Sequence, residues 1–364
     1  MKAYVVDTAA LRNNIHIVQE RAGQAVIWAV LKGNGYGLGI VPLAKILKEE
    51  GLSHFAVTEV SEAEQLRAHG FEDEPILMLR ATSDRPTLEQ MLDLGVIATV
   101  GSYEDAVALN GIAEQRGTIA EVHLELDTGM GRYGFTAQQL DKVPDVYNYM
   151  NNIAVSGIYT HFHSAFSDKE ATETQFEQFR SLLGRIQAQG HETGMVHCCN
   201  SSALFKYPQM AKMDAVRIGS AFLGRLSFRT RTGLQKVGYA EAPIEELRWL
   251  QKGDTCGYGA AWRARRTTRV AVINLGYYNG FGTEKGRDLF RVRDCIRGIF
   301  SNLKAMLTHR AIYVTVAGAR CRVLGHVGMV HTCIDVTDIT CACGDTVTLE
   351  INPLLVKDLE VEYR

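Results

Sequence analysis

The chain has 364 residues, and its 39 Lys and Arg against 41 Asp and Glu leave a net charge of −2. That length exceeds what one core usually supports, and the balance gives no overall electrostatic case for nucleic acid or a membrane surface. Eight cysteines are scattered; Cys198-Cys199 and Cys341-Ala-Cys343 fit neither a disulfide framework nor a zinc-knuckle spacing, so the thiols read as reduced. No apolar run reaches the length of a membrane span, and the amino terminus lacks a signal-peptide pattern. The expectation is a soluble cytoplasmic protein with a small-molecule partner, or the soluble catalytic part of a membrane-anchored one.

A first helix carries Leu11, Ile15 and Val18 on one side. Ala25–Leu31 is then a continuous apolar run of the kind a strand buried on both faces needs, and it delivers Lys32 at its carboxyl end. Gly33, Gly35, Gly37 and Gly39 follow, with Tyr36 the one large side chain among them; these glycines are expected to let backbone N–H groups approach a ligand. The lysine precedes the glycines, so this is not the phosphate loop of NTPases, and the spacing is not the dinucleotide fingerprint. A partly desolvated lysine at a strand end can lose its proton and attack a carbonyl as an amine. A lysine snorkelling into solvent is the plain alternative.

Seven further apolar runs follow: His54–Val60, Pro75–Leu79, Val96–Val100, Val122–Leu126, Val155–Phe162, Met195–Cys199 and Ala215–Phe222. Most are separated by stretches of helical period, one of which opens with a capping box from Ser61 to Glu64. Eight such runs alternating with helices predict an α/β fold, a (β/α)8 barrel over residues 1–228. In such barrels chemistry collects at the carboxyl ends of the strands. Those ends carry Lys32, the run Asp127-Thr-Gly-Met-Gly-Arg132, His161-Phe-His163, Asn200-Ser-Ser202, and Arg217 leading into Gly219-Ser220.

From residue 229 to 364 the texture changes to short β-branched segments and glycine turns, which predicts a second, mostly β domain. Thr268–Leu275, Ile312–Val316, Arg320–Leu324, Thr332–Val336 and Thr346–Ile351 read as its strands, with Ala317-Gly-Ala319 as a hairpin loop. Thr283–Arg310 holds seven basic and three acidic residues. Ile296, Ile299, Phe300 and Leu303 there can share one face, so a helical insertion is expected.

A carbonyl cofactor on Lys32 would need further groups. Pyridoxal 5'-phosphate requires a phosphate cradle, a ring-nitrogen partner and a contact for its phenolic oxygen. The Gly219-Ser220 turn with the Ser201 and Tyr36 hydroxyls could supply the cradle, and Arg217 could reach the ring nitrogen. Arginine only donates, so that nitrogen would stay unprotonated, which disfavours transamination and suits racemisation. Two-face proton exchange needs two bases: Lys32 is one, and Tyr258, in Gly253-Asp-Thr-Cys-Gly-Tyr-Gly259, is the candidate for the other. A phenol with its reference pKa near about 10 needs a neighbour that stabilises its anion.

These segments, in this order, resemble the alanine racemase family over nearly the whole chain, and within it the serine/alanine racemases of vancomycin-resistance systems. The resemblance implies Lys32 as cofactor lysine and first base, Tyr36 as phosphate contact, Arg132 at the phenolic oxygen, and His161 beside the ring. It implies phosphate and ring-nitrogen roles for Asn200, Ser201, Arg217, Gly219 and Ser220. Tyr258 becomes the opposite-face base, Tyr277 a channel residue, and Met329 a backbone contact for the substrate carboxylate. It also implies a homodimer with shared active sites, and D-amino acids supplied to cell-wall precursors.

The chain departs from the family pattern at Glu125, where a lysine that becomes carbamylated is usual; the expectation is that Glu125 orients Arg132. Asn352 aligns with the family's carboxyl-terminal tyrosine, and a shorter amide there would make room for a hydroxymethyl group, so L-serine is expected as a substrate beside L-alanine. Asn352 as a plain turn residue is the alternative. Leu38 and Val330-His331 also depart from the pattern, without an assigned consequence. A metal-dependent hydrolase using His161 and His163 with His197 and Asp127 is the first rival reading, though it gives Lys32 no task. A non-catalytic pyridoxal phosphate binder and a decarboxylase are the others; Tyr258 speaks against the first and Arg217 against the second.

Overall fold

A computed structural model describes residues 1–228, 231–284, 292–307 and 311–364. The chain forms two compact units, Thr8–Val237, and Met1–Asp7 together with Gly238–Arg364. The division differs from the one expected at 228/229. Residues 229 and 230 lie outside the described set, and the first seven residues go with the second unit. The cause is β1 (Ala3–Val6), a fully buried strand that pairs antiparallel with β10 (Tyr239–Leu250) and parallel with β18 (Glu360–Tyr363).

The first unit is a parallel barrel. Its strands are β2 (Val26–Val30), β3 (His54–Val57), β4 (Ile76–Met78), β5 (Ala98–Val100), β6 (Ala120–Glu125), β7 (Ile153–Tyr159), β8 (Met195–Asn200) and β9 (Ala215–Ile218). They are ordered β4-β3-β2-β9-β8-β7-β6-β5. A parallel bridge between Leu77 and Ile97 joins the two ends of that order. Each strand falls within or overlaps one of the eight apolar runs. They are near-continuously apolar because helices cover the outside while side chains such as Trp28, Val30, Ala56, Leu77 and Ala215 fill the middle. The helix after β3 starts two residues earlier than the sequence suggested. It spans Val60–Arg67, and the box is formed by Glu59 and Glu62, whose carboxylate accepts the Glu59 N–H at 3.2 Å.

The second unit is mostly antiparallel. Besides β1, β10 and β18 it holds the short pair β11 (Thr255–Cys256) and β12 (Trp262–Arg263), then β13 (Thr268–Ile273), β14 (Tyr313–Val316), β15 (Ala319–Leu324), β16 (Thr332–Asp335) and β17 (Thr346–Leu349). The sheet order is β13-β16-β15-β14-β17-β10-β1-β18, and β13 also pairs with β10. β14 and β15 are joined by the two-residue turn Ala317-Gly318, both at positive φ, as a tight hairpin requires. Within the insertion a helix spans Val292–Leu307; residues 285–291 and 308–310 lie outside the described set. Among the described residues no helix is long and apolar enough to cross a membrane.

Candidate active site

Strand β2 ends at Val30, and the Leu31 N–H is fixed to Ala56 O at 2.8 Å, so Lys32 leaves the barrel rim at a set position. The glycines that follow shape a turn. Gly33, Asn34, Gly35, Tyr36 and Gly37 all have positive φ, forming a left-handed turn that L side chains resist and glycine permits. The Gly35 N–H donates to Leu31 O at 2.7 Å, and the Asn34 N–H donates to the Glu62 carboxylate at 3.1 Å. This turn swings the Tyr36 ring against Gly219, where an added Cβ would sit 2.1 Å from the tyrosine hydroxyl. Gly219 is therefore required for Tyr36 to stand where it does.

Lys32, Arg132, Tyr159, His161 and Arg217 line one cavity of about 160 Å³ at the barrel mouth. Arg132 is brought there by the loop after β6. The Asp127 carboxylate accepts from the Gly129 and Gly131 N–H groups at 2.8 to 3.1 Å. Gly134 lets the return strand pass, since a Cβ there would lie 2.6 Å from Asp127 N. Lys32 keeps solvent-accessible area because the cavity is open, yet the surrounding protein still desolvates its ammonium. That desolvation first, and the Arg132 charge second, hold its pKa below the ordinary lysine value. A larger fraction of Lys32 is thus a free amine than in an exposed lysine.

Beneath the cavity runs a buried polar chain. Arg217 is 3% exposed; its Nη1 donates to His197 Nδ1 at 2.6 Å, and its Nη2 to Thr160 O at 2.7 Å. His197 Nε2 meets His123 Nδ1 at 2.9 Å. Register shifts in the β6–β7 and β8–β9 pairings fall at these two histidines, and the β6–β7 shift sets His123 against Gly157, where a Cβ would lie 2.6 Å from His123 Nε2. Burial, reinforced by the Arg217 charge, lowers His123 and His161 to about 3 and His197 well below the histidine range, so all three are neutral near pH 7. Arg217 therefore faces neutral partners. Together with Lys32 and Arg132 it leaves the cavity rich in positive charge.

Glu125 feels the Arg132 charge but makes its hydrogen bond elsewhere. Among the described residues no hydrogen bond joins it to Arg132. Its carboxylate instead accepts the Tyr159 O–H at 3.1 Å, and burial raises its pKa against the opposing pull of Arg217 and Arg132. The rival metal reading also loses its geometry: β7 ends at Tyr159, so His161 lines the cavity while the exposed His163 bonds the Ser164 hydroxyl at 2.6 Å. Among the described residues no three His, Cys, Asp or Glu side chains gather as metal ligands.

The donor set fits pyridoxal phosphate. Ser201 Oγ accepts from the Gly219 and Ala221 N–H groups at 3.1 and 3.4 Å, which leaves its own proton to donate outward. Burial pushes Tyr36 above the usual phenol range, so it too remains a donor. Two hydroxyls thus converge at the Gly219 turn, where a phosphate would be held. Lys32 would meet the aldehyde, Arg217 an unprotonated ring nitrogen, and Arg132 the phenolic oxygen. The Asn200 side-chain oxygen accepts from Ser202 N and Ala203 N at 3.1 and 3.0 Å, capping the helix Ser201–Lys206 and leaving only its amide NH2 to donate elsewhere. Ser220 follows Gly219 with its carbonyl accepting from Arg225 N at 3.0 Å.

The second unit assembles its own set. Tyr258, 76% exposed, stands on a turn flanked by Gly257 and Gly259 at positive φ, and shares a cavity of about 410 Å³ with Gly328, Met329, His331 and Cys333. Tyr277 is tied to the same segment, since its N–H donates to Gly328 O and that of Tyr278 to Met329 O, both at 3.0 Å. A Cβ on Gly276 would collide with Gly328 O at 2.2 Å, so that docking needs glycine. Asn352 is not in this cavity. Its side chain accepts from Leu354 N at 3.2 Å, capping the short turn Pro353–Leu355, whose Leu355 carbonyl packs against Gly280.

Sequence reasoning missed His123, Tyr159 and Glu62, and gave His197 only a metal role. The signal was present as polar residues inside otherwise apolar strand runs, Val122–Leu126, Val155–Phe162 and Met195–Cys199, where a buried polar group must find partners.

Residues 6–226 match the family model "Alanine racemase, N-terminal domain" and residues 237–359 match "Alanine racemase, C-terminal domain". An alanine racemase of Desulforamulus reducens is 33% identical over 345 residues, covering 92% of this chain and 85% of that protein. One of Methanococcus maripaludis is 30% identical, covering 94% and 87%. Among solved structures, the alanine racemase of D-cycloserine-producing Streptomyces lavendulae superposes with a TM-score of 0.85 at 21% identity, covering 100% of this chain and 97% of that one. The barrel with its cofactor-fitting donor set, the β-rich unit with its tyrosines, and these matches lead to one conclusion: the chain belongs to the alanine racemase family, a family of isomerases that depend on pyridoxal 5'-phosphate.

Proposed function

We propose that this protein racemises alanine and serine with two bases, Lys32 and Tyr258, and works as a cytoplasmic homodimer in which the Tyr258 of one subunit serves the Lys32 of the other. The observation that carries the reading is the gathering of Lys32, Arg132, His161 and Arg217 around one cavity. Pyridoxal phosphate, when bound, supplies an aldehyde and a conjugated ring that spreads the charge left when the substrate α-carbon loses its proton. The depressed Lys32 pKa favours the free amine that removes or returns that proton on one face. The Tyr258 phenol acts on the opposite face. Arg217, a pure donor among neutral histidines, keeps the ring nitrogen unprotonated and so turns the outcome from transamination toward proton return at the α-carbon.

Met329 is assigned the substrate carboxylate through its backbone, Tyr277 the approach to the site, and Asn352 the room for serine. Supply of D-amino acids to cell-wall precursors, as in vancomycin-resistance systems, is the biological role this reading assigns.

The test is racemisation of L-alanine and L-serine in heavy water by wild type, Lys32→Ala and Tyr258→Phe. Tyr258→Phe should lose at least about a hundredfold in racemisation while still exchanging the α-proton of one enantiomer, because only one of two bases is gone. Equal loss of exchange for both enantiomers would refute the assignment of Tyr258.

A further inference from the structure

The helix Val292–Leu307 has no buried residue. Its apolar side chains nevertheless fall into a single stripe: Val292, Ile296, Ile299, Phe300, Leu303 and Leu307 recur every three or four residues and are 47 to 77% exposed. A sixteen-residue helix with an uncovered apolar face is marginal in water, since most helical stability comes from packing that face. Something of matching chemistry must cover it.

The charges say what. At about 100° per residue, Arg293, Arg297 and Lys304 lie within about 40° of one another along one flank of the stripe; Asp294 falls beyond that flank, with its carboxylate 3.6 Å from the exposed Arg297 guanidinium, a surface pair that holds the arginine only weakly. The segment 283–310 carries seven basic and three acidic residues, a net +4 that leaves −6 on the remainder of a chain whose total is −2. The near-neutral overall composition conceals this local excess. A second copy of the helix would set cations against cations. An acidic protein partner would need a groove to receive a convex ridge of six large side chains. A planar apolar phase under an anionic headgroup layer receives both features at once: the ridge sinks in, and the flanking Arg and Lys stems snorkel to the headgroups.

We propose that the helix Val292–Leu307 is a membrane-surface element that seats the protein on an anionic bilayer, lying in the interface without crossing it. None of the apolar or basic residues of this helix is among those assigned to catalysis or cofactor binding, so changing them should leave turnover intact.

The test uses the full-length holoenzyme in co-sedimentation with vesicles of phosphatidylcholine alone or mixed with phosphatidylglycerol. Partition onto the anionic vesicles should be at least about tenfold stronger and should weaken with added salt. Arg293→Glu/Arg297→Glu/Lys304→Glu and, separately, Ile299→Asp/Phe300→Asp should each lower it at least about tenfold while alanine racemisation stays at the wild-type rate. The triple charge variant alters exposed positions only, so it tests the idea even if the apolar one folds poorly. Wild type that ignores anionic vesicles, or variants that bind as wild type does, would overturn the proposal. So would sedimentation velocity showing that Ile299→Asp/Phe300→Asp splits the protein into a smaller species, because the occupant would then be a second copy.

Discussion

Arg217 donates to the Nδ1 of His197 at 2.6 Å, and both side chains are buried. An arginine cannot accept, so the proton of the neutral His197 ring must be on Nε2. From there it is donated to His123 Nδ1 at 2.9 Å, which fixes the tautomer of the second ring as well. Direction therefore runs from Arg217 to His197 to His123. Replacing His123 by leucine strands a buried N–H, a loss of about 1 to 3 kcal/mol, and frees His197 to turn. Turnover should fall on the order of tenfold in His123→Leu. His123→Asn, whose amide oxygen can take the place of Nδ1, should stay much nearer to wild type. Nitrogen-15 NMR of the histidines should show the His197 tautomer kept in the asparagine variant and lost in the leucine one.

The same burial makes stability sensitive to acid. His123 titrates at about 3 in the folded protein, against about 6.5 when unfolded, so between these values the unfolded chain binds a proton that the native one excludes. Its depressed folded pKa therefore lowers stability as pH falls from 6.5 toward 3, by up to about 1.4 kcal/mol per pH unit. Denaturant midpoints measured over this range should decline, and His123→Leu should show the shallower slope, though from a less stable start.

Gly219→Ala would place a methyl 2.1 Å from the Tyr36 hydroxyl. The tyrosine must then leave the Gly219 turn, where the phosphate is proposed to sit. Cofactor affinity, followed by absorbance on titration with pyridoxal phosphate, should weaken at least about tenfold, and Tyr36→Phe should weaken it less because the ring still fits.

Asn352 caps its turn through Leu354 N, and that turn packs beside Gly280, in the turn that begins at Tyr277. Asn352→Tyr should lower the serine-to-alanine ratio of kcat/KM on the order of tenfold, since removing room and a hydrogen-bonding amide penalises the hydroxymethyl group selectively. An unchanged ratio would remove Asn352 from the substrate's surroundings.

The barrel was legible because strands buried on both faces must be apolar throughout, and each of the eight runs holds or overlaps a strand. β1 and β10 were not. β1 is four residues that gain meaning only through partners more than two hundred positions away, and β10 mixes exposed charges such as Glu245 and Glu246 into its length. Lys32, Arg132, His161 and Arg217 could be found as polar residues at strand ends. The hydrogen bond that Tyr159, on the neighbouring strand, donates to Glu125 was not legible, because it depends on strand pairing and not on sequence order. The left-handed turn formed by the glycines after Lys32 was not legible, because their spacing alone does not fix φ.

The proposed racemisation requires Lys32 to be the amine that takes up the cofactor's aldehyde. Borohydride reduction of the holoenzyme followed by peptide mass mapping tests this directly. The expected result is a pyridoxyl group on Lys32 in wild type, and no stable adduct in Lys32→Ala. A pyridoxyl group on a different lysine of the wild type, or none on the reduced protein, would contradict it.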